Sequence, residues 1–185
     1  MCRAQTDVSA SLLGAFSESS NGGNTTQSPS DAAGVLFEVR HLSNPLVGFE
    51  GTYSYNRANQ AYRYTTPPPC PAPGCQGPVG VSAEAHEVTG DWVVAPKIAK
   101  FRPFGLAGVG LLFNDPTGGQ PDTQSQTKPV IVYGFGLDWG MAPHLGLRFQ
   151  YRGNAYRAPN LTRLYAPVNS GTHTAEPMIG AYFRF

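Results

Sequence analysis

The chain has 185 residues, a length that suits one domain. Only 14% of them are charged, the net charge is +1 and no basic cluster stands out, so there is no case for nucleic acid as a partner. No run of eighteen apolar residues occurs, which excludes a transmembrane helix, and the 22 glycines with many Tyr and Phe suit strands and turns.

Residues 1–5, Met1-Cys2-Arg3-Ala4-Gln5, are too short for the apolar core of a signal peptide. They read as the tail of a signal peptide otherwise missing from this sequence, or as a disordered N-terminus. Cys2 as a lipoprotein cysteine is the alternative. The domain then spans 6–185.

Eight strand-like segments follow. Residues 6–16 place Val8, Ala10, Leu12, Gly14 and Phe16 on one face, with Asp7, Ser9 and Ser11 on the other, at the period of two that marks a strand. Residues 17–32 read as a long polar loop. In 33–42, Val35, Phe37 and Val39 oppose Glu38 and Arg40; Ser43-Asn44-Pro45 is a tight turn. In 46–56, Val47, Phe49, Gly51, Tyr53 and Tyr55 oppose Glu50, Thr52 and Ser54. A second long loop covers 57–80 and carries Cys70 and Cys75.

In 81–94, Val88, Gly90, Trp92 and Val94 oppose Glu87, Thr89 and Asp91, and 95–101 is a short basic connection. Residues 102–113 alternate poorly, because Gly105, Gly108 and Gly110 dilute the pattern; these glycines suit barrel curvature. A third long loop covers 114–128. In 129–139, Ile131, Tyr133, Phe135, Leu137 and Trp139 oppose Gly134, Gly136 and Asp138, and 140–143 turns tightly. In 144–153, Leu145, Leu147, Phe149 and Tyr151 oppose Arg148, Gln150 and Arg152. The fourth long loop is 154–171, and in 172–185 Ile179, Ala181, Phe183 and Phe185 oppose Gly180, Tyr182 and Arg184.

Odd-numbered connections are long and even-numbered ones short. That sorting is expected of an all-β, eight-stranded, antiparallel, up-and-down transmembrane β-barrel with four long surface loops and three short periplasmic turns. A barrel of eight strands has an interior just wide enough for side chains to fill. The polar face therefore becomes the interior, holding Glu38, Arg40, Glu50, Glu87, Asp91, Asp138, Arg148, Arg152 and Arg184. Buried charges need partners, so these predict a closed ionic network and no open pore. The apolar face carries Tyr53, Tyr55, Trp92, Trp139 and Phe183, placed as aromatic girdles would be.

The stretch from Tyr133 to Arg152 resembles the penultimate hairpin of OmpA/opacity-type small outer-membrane barrels, and 102–110 resembles their fifth strand. The terminal Tyr182, Phe183 and Phe185 resemble their C-terminal signal for the barrel-assembly machinery. The resemblance implies a cell-envelope protein of a Gram-negative bacterium, in contact with outer-membrane lipids, and an extracellular partner met through the loops.

One stretch hints at catalysis. His41-Leu42-Ser43-Asn44 resembles the motif of lipid A 3-O-deacylases, in which Ser attacks, His is the base and a Glu orients it. Glu50 is the nearest carboxylate, at a poor spacing, and the motif falls in a periplasmic turn, so a plain polar turn is the favoured reading. Cys70 and Cys75 suit a local disulfide across a loop tip in an oxidising compartment. The four histidines show no metal-ligand spacing, so no metal and no cofactor is expected. The expected function is non-enzymatic, in envelope structure or surface interaction, of an adhesin or antigen type. A lipid A 3-O-deacylase-like hydrolase and a soluble lipocalin-like binder are the alternatives.

Overall fold

A computed structural model of the chain describes residues 4–66, 77–118 and 122–185. Cys2, Cys70 and Cys75, with the disulfide expected between the latter two, lie outside the described residues.

The described strands, in chain order, are β1 (Gln5–Ser17), β2 (Ser20–Gly22), β3 (Thr25–Pro29), β4 (Ala32–Leu42), β5 (Val47–Tyr64), β6 (Val79–Val94), β7 (Phe101–Thr117), β8 (Gln126–Gly140), β9 (Leu145–Arg157) and β10 (Gly171–Arg184). Eight of them, β1 and β4 to β10, pair antiparallel in sequence order, and β1 pairs with β10 to close the ring. The fold is a closed eight-stranded antiparallel barrel. A closed ring leaves no sheet edge with unpaired backbone groups, the condition for a sheet to survive in lipid.

The start of β1, the end of β10 and the three tight turns share one end. Asn44 builds the first turn: its Oδ1 accepts from the backbone N–H of Leu46 (2.9 Å) and Val47 (2.8 Å). The second turn puts Ala99 in the left-handed region, at φ 55°. In the third, the N–H groups of Met141 (3.1 Å) and Ala142 (2.9 Å) share the carbonyl of Leu145.

At the other end the strands outrun the expected boundaries. Residues 57–64, 114–117, 126–128 and 154–157, read as loop from sequence, are strand. The first long loop contains a hairpin. Gly23 and Asn24 both have positive φ, 57° and 59°, which is the two-residue turn whose twist matches its strands, and it joins β2 to β3. β3 then pairs with the extension of β5 from Thr25↔Tyr64 to Pro29↔Gln60. Tertiary pairing supplies the backbone partners that the polar sequence gave no hint of.

The strand alternation is inside out relative to a soluble barrel. Phe37, Phe49, Trp92, Val109, Ile131, Phe135 and Ile179 are exposed on the outer wall. Asp7, Glu38, Arg40, Arg148 and Arg152 are buried in the lumen. On β7 the outward stripe runs from Phe101 to Phe113. At ~3.3 Å per residue and a tilt of roughly 40°, such a stripe rises about 30 Å, enough for the hydrocarbon core of a bilayer. Aromatic pairs gather near the tight-turn end: Phe49 with Trp92 at 5.6 Å, and Phe101 with Trp139 at 6.3 Å. Nearer the loop end, the Tyr53 hydroxyl lies 2.8 Å from His86 Nδ1, and that of Tyr133 2.8 Å from His173 Nε2.

Candidate functional site in the barrel interior

The lumen is filled in layers. At the tight-turn end Leu42, Val93, Ala95 and Phe104 form an apolar floor. Above it Arg40 and Arg148 knit four carboxylates together. Arg40 Nη2 lies 2.6 Å from Glu50 and its Nη1 3.3 Å from Asp138. Arg148 reaches Asp138 at 2.7 Å, Asp7 at 2.9 Å and Glu38 at 3.3 Å. Ser9 donates its hydroxyl to Glu38 at 2.7 Å. The Arg40 guanidinium also stacks over the Phe104 ring at 4.0 Å, so one flat face is covered as well as its edges.

The parity of the strands explains this convergence. Arg40 and Glu50 sit opposite each other in the β4–β5 register, and Asp138 opposite Arg148 between β8 and β9. Gly136 makes room for the Phe104 ring, which a β-carbon there would strike. Gly108 does the same for the Asp91 carboxylate. The sequence reading gave Gly105, Gly108 and Gly110 one shared role in curvature. In the structure Gly108 and Gly110 lie hard against β6, on which a β-carbon at either position would collide, while Gly105 does not.

A second charged layer lies nearer the loop end. Arg152 Nη2 lies 3.3 Å from Glu87 and 3.8 Å from Asp91, and its Nη1 donates to Thr52 at 3.0 Å. Glu176 stands opposite Arg152 in the β9–β10 register. Asn154 Nδ2 donates to Glu87 at 3.0 Å.

Of the nine residues read from sequence as interior, eight are buried and Arg184 is half-buried at the tight-turn end, 4.8 Å over the Tyr182 ring. Asp7, Glu176 and Arg102 are buried too and were not among them. Asp7 shares its face with Ser9 and Ser11, and Glu176 shares one with Tyr182, so strand parity carried the signal for both. Tyr182 points inward while Phe183 and Phe185 are exposed outside.

The structure does not bring the hydrolase candidates together. His41 is exposed on the outer wall, opposite Phe49, with Nδ1 2.9 Å from Thr6 Oγ1. Ser43 is exposed in the turn. Glu50 points into the lumen and is held by Arg40. Parity decides this: His41 and Glu50 lie on opposite faces of the sheet, which separates base and orienter. Among the described residues no three His, Cys, Asp or Glu side chains group as a metal-holding cluster.

The mouth at the loop end is stoppered by residues 158–170. Leu161 and Thr162 are fully buried, and Leu161 packs with Tyr62, Val81, Ala83 and Tyr165. The Tyr62 hydroxyl donates to the Pro159 carbonyl (3.1 Å) and accepts from the Leu161 N–H (3.0 Å). Tyr165 donates to the Gly77 carbonyl at 2.7 Å. The third loop is tied in by Gln124, whose N–H meets the Leu161 carbonyl at 3.0 Å. Burial pushes the Tyr62 phenol up to about 12, because its ionised form would lose water. A sequence reading of four free loops missed this stopper: Leu161, Leu164 and Tyr165 are scattered among polar residues and show no period.

No protein-family model and no curated protein matches the chain. Solved structures do. OprG from Pseudomonas aeruginosa superimposes with a TM-score of 0.69 at 13% identity, over 100% of this chain and 97% of that one. Neisserial surface protein A gives 0.65 at 16%, over 97% of each. Ail of Yersinia pestis, in complex with the heparin analogue sucrose octasulfate, gives 0.60 at 17%, over 98% and 99%. The fold is that of the small outer-membrane β-barrels. At these identities the likeness speaks for architecture, and the chemistry has to come from the side chains described above.

Proposed function

We propose that this chain is an outer-membrane barrel of a Gram-negative bacterium that works without enzymatic chemistry, in envelope structure or in surface interaction through its loop end. One observation carries the reading: charged residues fill the lumen while Trp92, Phe135, Ile131 and their neighbours face outward. In water that arrangement would expose a broad apolar surface; in lipid it is the stable one. The short turns then face the periplasm and the stoppered mouth faces outside. Phe183 and Phe185, outward at the end of β10, suit a signal read by the barrel-assembly machinery. The separation of His41, Ser43 and Glu50 removes the support for a deacylase, and the charged lumen removes that for a lipocalin-like binder.

The test is refolding from urea into detergent micelles, with unboiled and boiled samples compared on SDS gels. A faster unboiled band is expected. Folding in water without detergent, and with no band shift, would overturn the membrane reading. Sucrose octasulfate is the first probe for the loop end. Saturable binding supports surface interaction, and none over a panel of sulfated glycans leaves the envelope role.

A further inference from the structure

The two charged layers are not equally balanced. In the layer at the tight-turn end, Asp7, Glu38, Glu50 and Asp138 meet Arg40 and Arg148, and Arg102 and Arg184 stand at the same end. In the layer near the loop end, Glu87, Asp91 and Glu176 meet Arg152 alone among the described residues. With all three carboxylates ionised, one guanidinium leaves an excess of two negative charges, in a place where uncompensated charge is costly.

Beside this layer is a cavity of about 30 Å³, bounded by Ser54, Glu87, Asn114, Asn154 and Glu176 among others. Such a volume suits one or two small species. Its lining holds two oxygens in need of a donor or a cation, and one buried donor without a partner, Asn114 Nδ2. Glu176 Oε2 and Asn154 Oδ1 are buried and have no hydrogen-bond partner among the described residues, and both residues are only 2% exposed. The Asn154 amide is oriented by the hydrogen bond its Nδ2 gives to Glu87, which leaves Oδ1 free.

We infer that the cavity binds one divalent cation of the calcium class, held by the Glu87 and Glu176 carboxylates and the Asn154 amide oxygen. One such ion supplies the two positive charges that the layer lacks. The donor set is all oxygen, which suits hard cations and disfavours zinc or copper. Among the described residues no third carboxylate or imidazole completes a metal cluster here, so neutral oxygens and water fill the coordination shell, an irregular arrangement that Ca²⁺ tolerates better than Mg²⁺. The stopper of residues 158–170 covers the mouth above, so exchange of the ion is slow. The inference rests on the barrel fold and is independent of any partner of the loops.

The experiment uses the whole chain refolded in detergent with Ca²⁺, gel-filtered into chelator-treated buffer and analysed for bound metal. About one ion per chain is expected, together with a higher midpoint of heat-induced band shift than in EDTA. Glu176→Gln should keep the band shift and lose the ion, and Asn154→Ala, which changes no charge, should weaken retention. Wild-type protein without bound ion and with the same midpoint in EDTA would overturn the inference. So would equal stabilisation by Na⁺ or by mild acid in the presence of EDTA, which would assign the compensation to monovalent ions or protons. Ion retained equally by Glu176→Gln would overturn the site. Failure of the band shift in every sample would count against the membrane barrel itself, a result distinct from a folded, ion-free barrel.

Discussion

Arg148 shows how much one residue holds. It is fully buried and bonds Asp138 on β8 and Asp7 and Ser9 on β1. Arg148→Ala takes an ion-pair partner from three carboxylates, two of which keep Arg40, and should lower stability by about 3–5 kcal/mol, read as a lower urea midpoint of the band shift. Ser43→Ala, by contrast, touches an exposed turn and should leave both folding and lipid composition unchanged. Loss of a lipid A acyl chain in cells expressing the wild type but not the variant would revive the hydrolase reading. Tyr62 gives a pH signature. Its phenol is raised to about 12 in the folded state, above an unfolded value near 10. The stabilisation is therefore fully present below pH 10 and is lost as pH rises through about 12. Protease nicking of the stopper should increase over that window, and Tyr62→Phe should remove the alkaline onset while weakening closure at neutral pH through the lost hydrogen bonds.

At the scale of the strand, the outward stripe carries the strongest prediction. Val109 is 60% exposed in the middle of β7. If that wall faces lipid, Val109→Arg costs about 2–4 kcal/mol; on a water-facing wall the same change is close to neutral. Refolding midpoints in lipid vesicles decide between them. The strands were legible because alternation with a period of two survives in most of them. Asp7 with Ser9, and Glu38 with Arg40, announce their face directly. β7 was harder to read, since Gly108 and Gly110 stand where a polar side chain would mark the inward face, and that space is taken by Asp91 and by β6 itself. The extension of β5 to Tyr64 was not legible, because its ladder to β3 depends on a partner distant in sequence. The hairpin at Gly23-Asn24 was signalled by two residues suited to positive φ and passed over as loop. The cation site was also invisible to a search built on histidine and cysteine spacing: its oxygens come from β6, β9 and β10 and meet only when the ring closes.

For the whole molecule, floor, two charged layers and stopper lie in series along one lumen. Removing any one leaves the others, so no conductance is expected in planar bilayers, and deletion of 159–165 alone should not create it. Reproducible single-channel steps from the wild type would show that the layers part in lipid. The same series separates tasks. The outer wall meets lipid, the lumen holds the barrel rigid, and the loop end is free to vary in sequence provided Tyr62, Leu161 and Tyr165 keep it shut.

The seam between β1 and β10 has a consequence for how the molecule comes into being. Asp7 and Ser9 on β1 are partners of Arg148 on β9, across that seam. Until the first strand docks on the last, Arg148 lacks them, and the row of unpaired groups at each edge is open to any neighbouring chain. The final zipping event therefore joins backbone and charge in a single step, like a clasp whose two halves are made at opposite ends of synthesis. A barrel cut short at either terminus does not become a smaller barrel; it becomes an open sheet in which Arg148 keeps Asp138 and loses its partners across the seam.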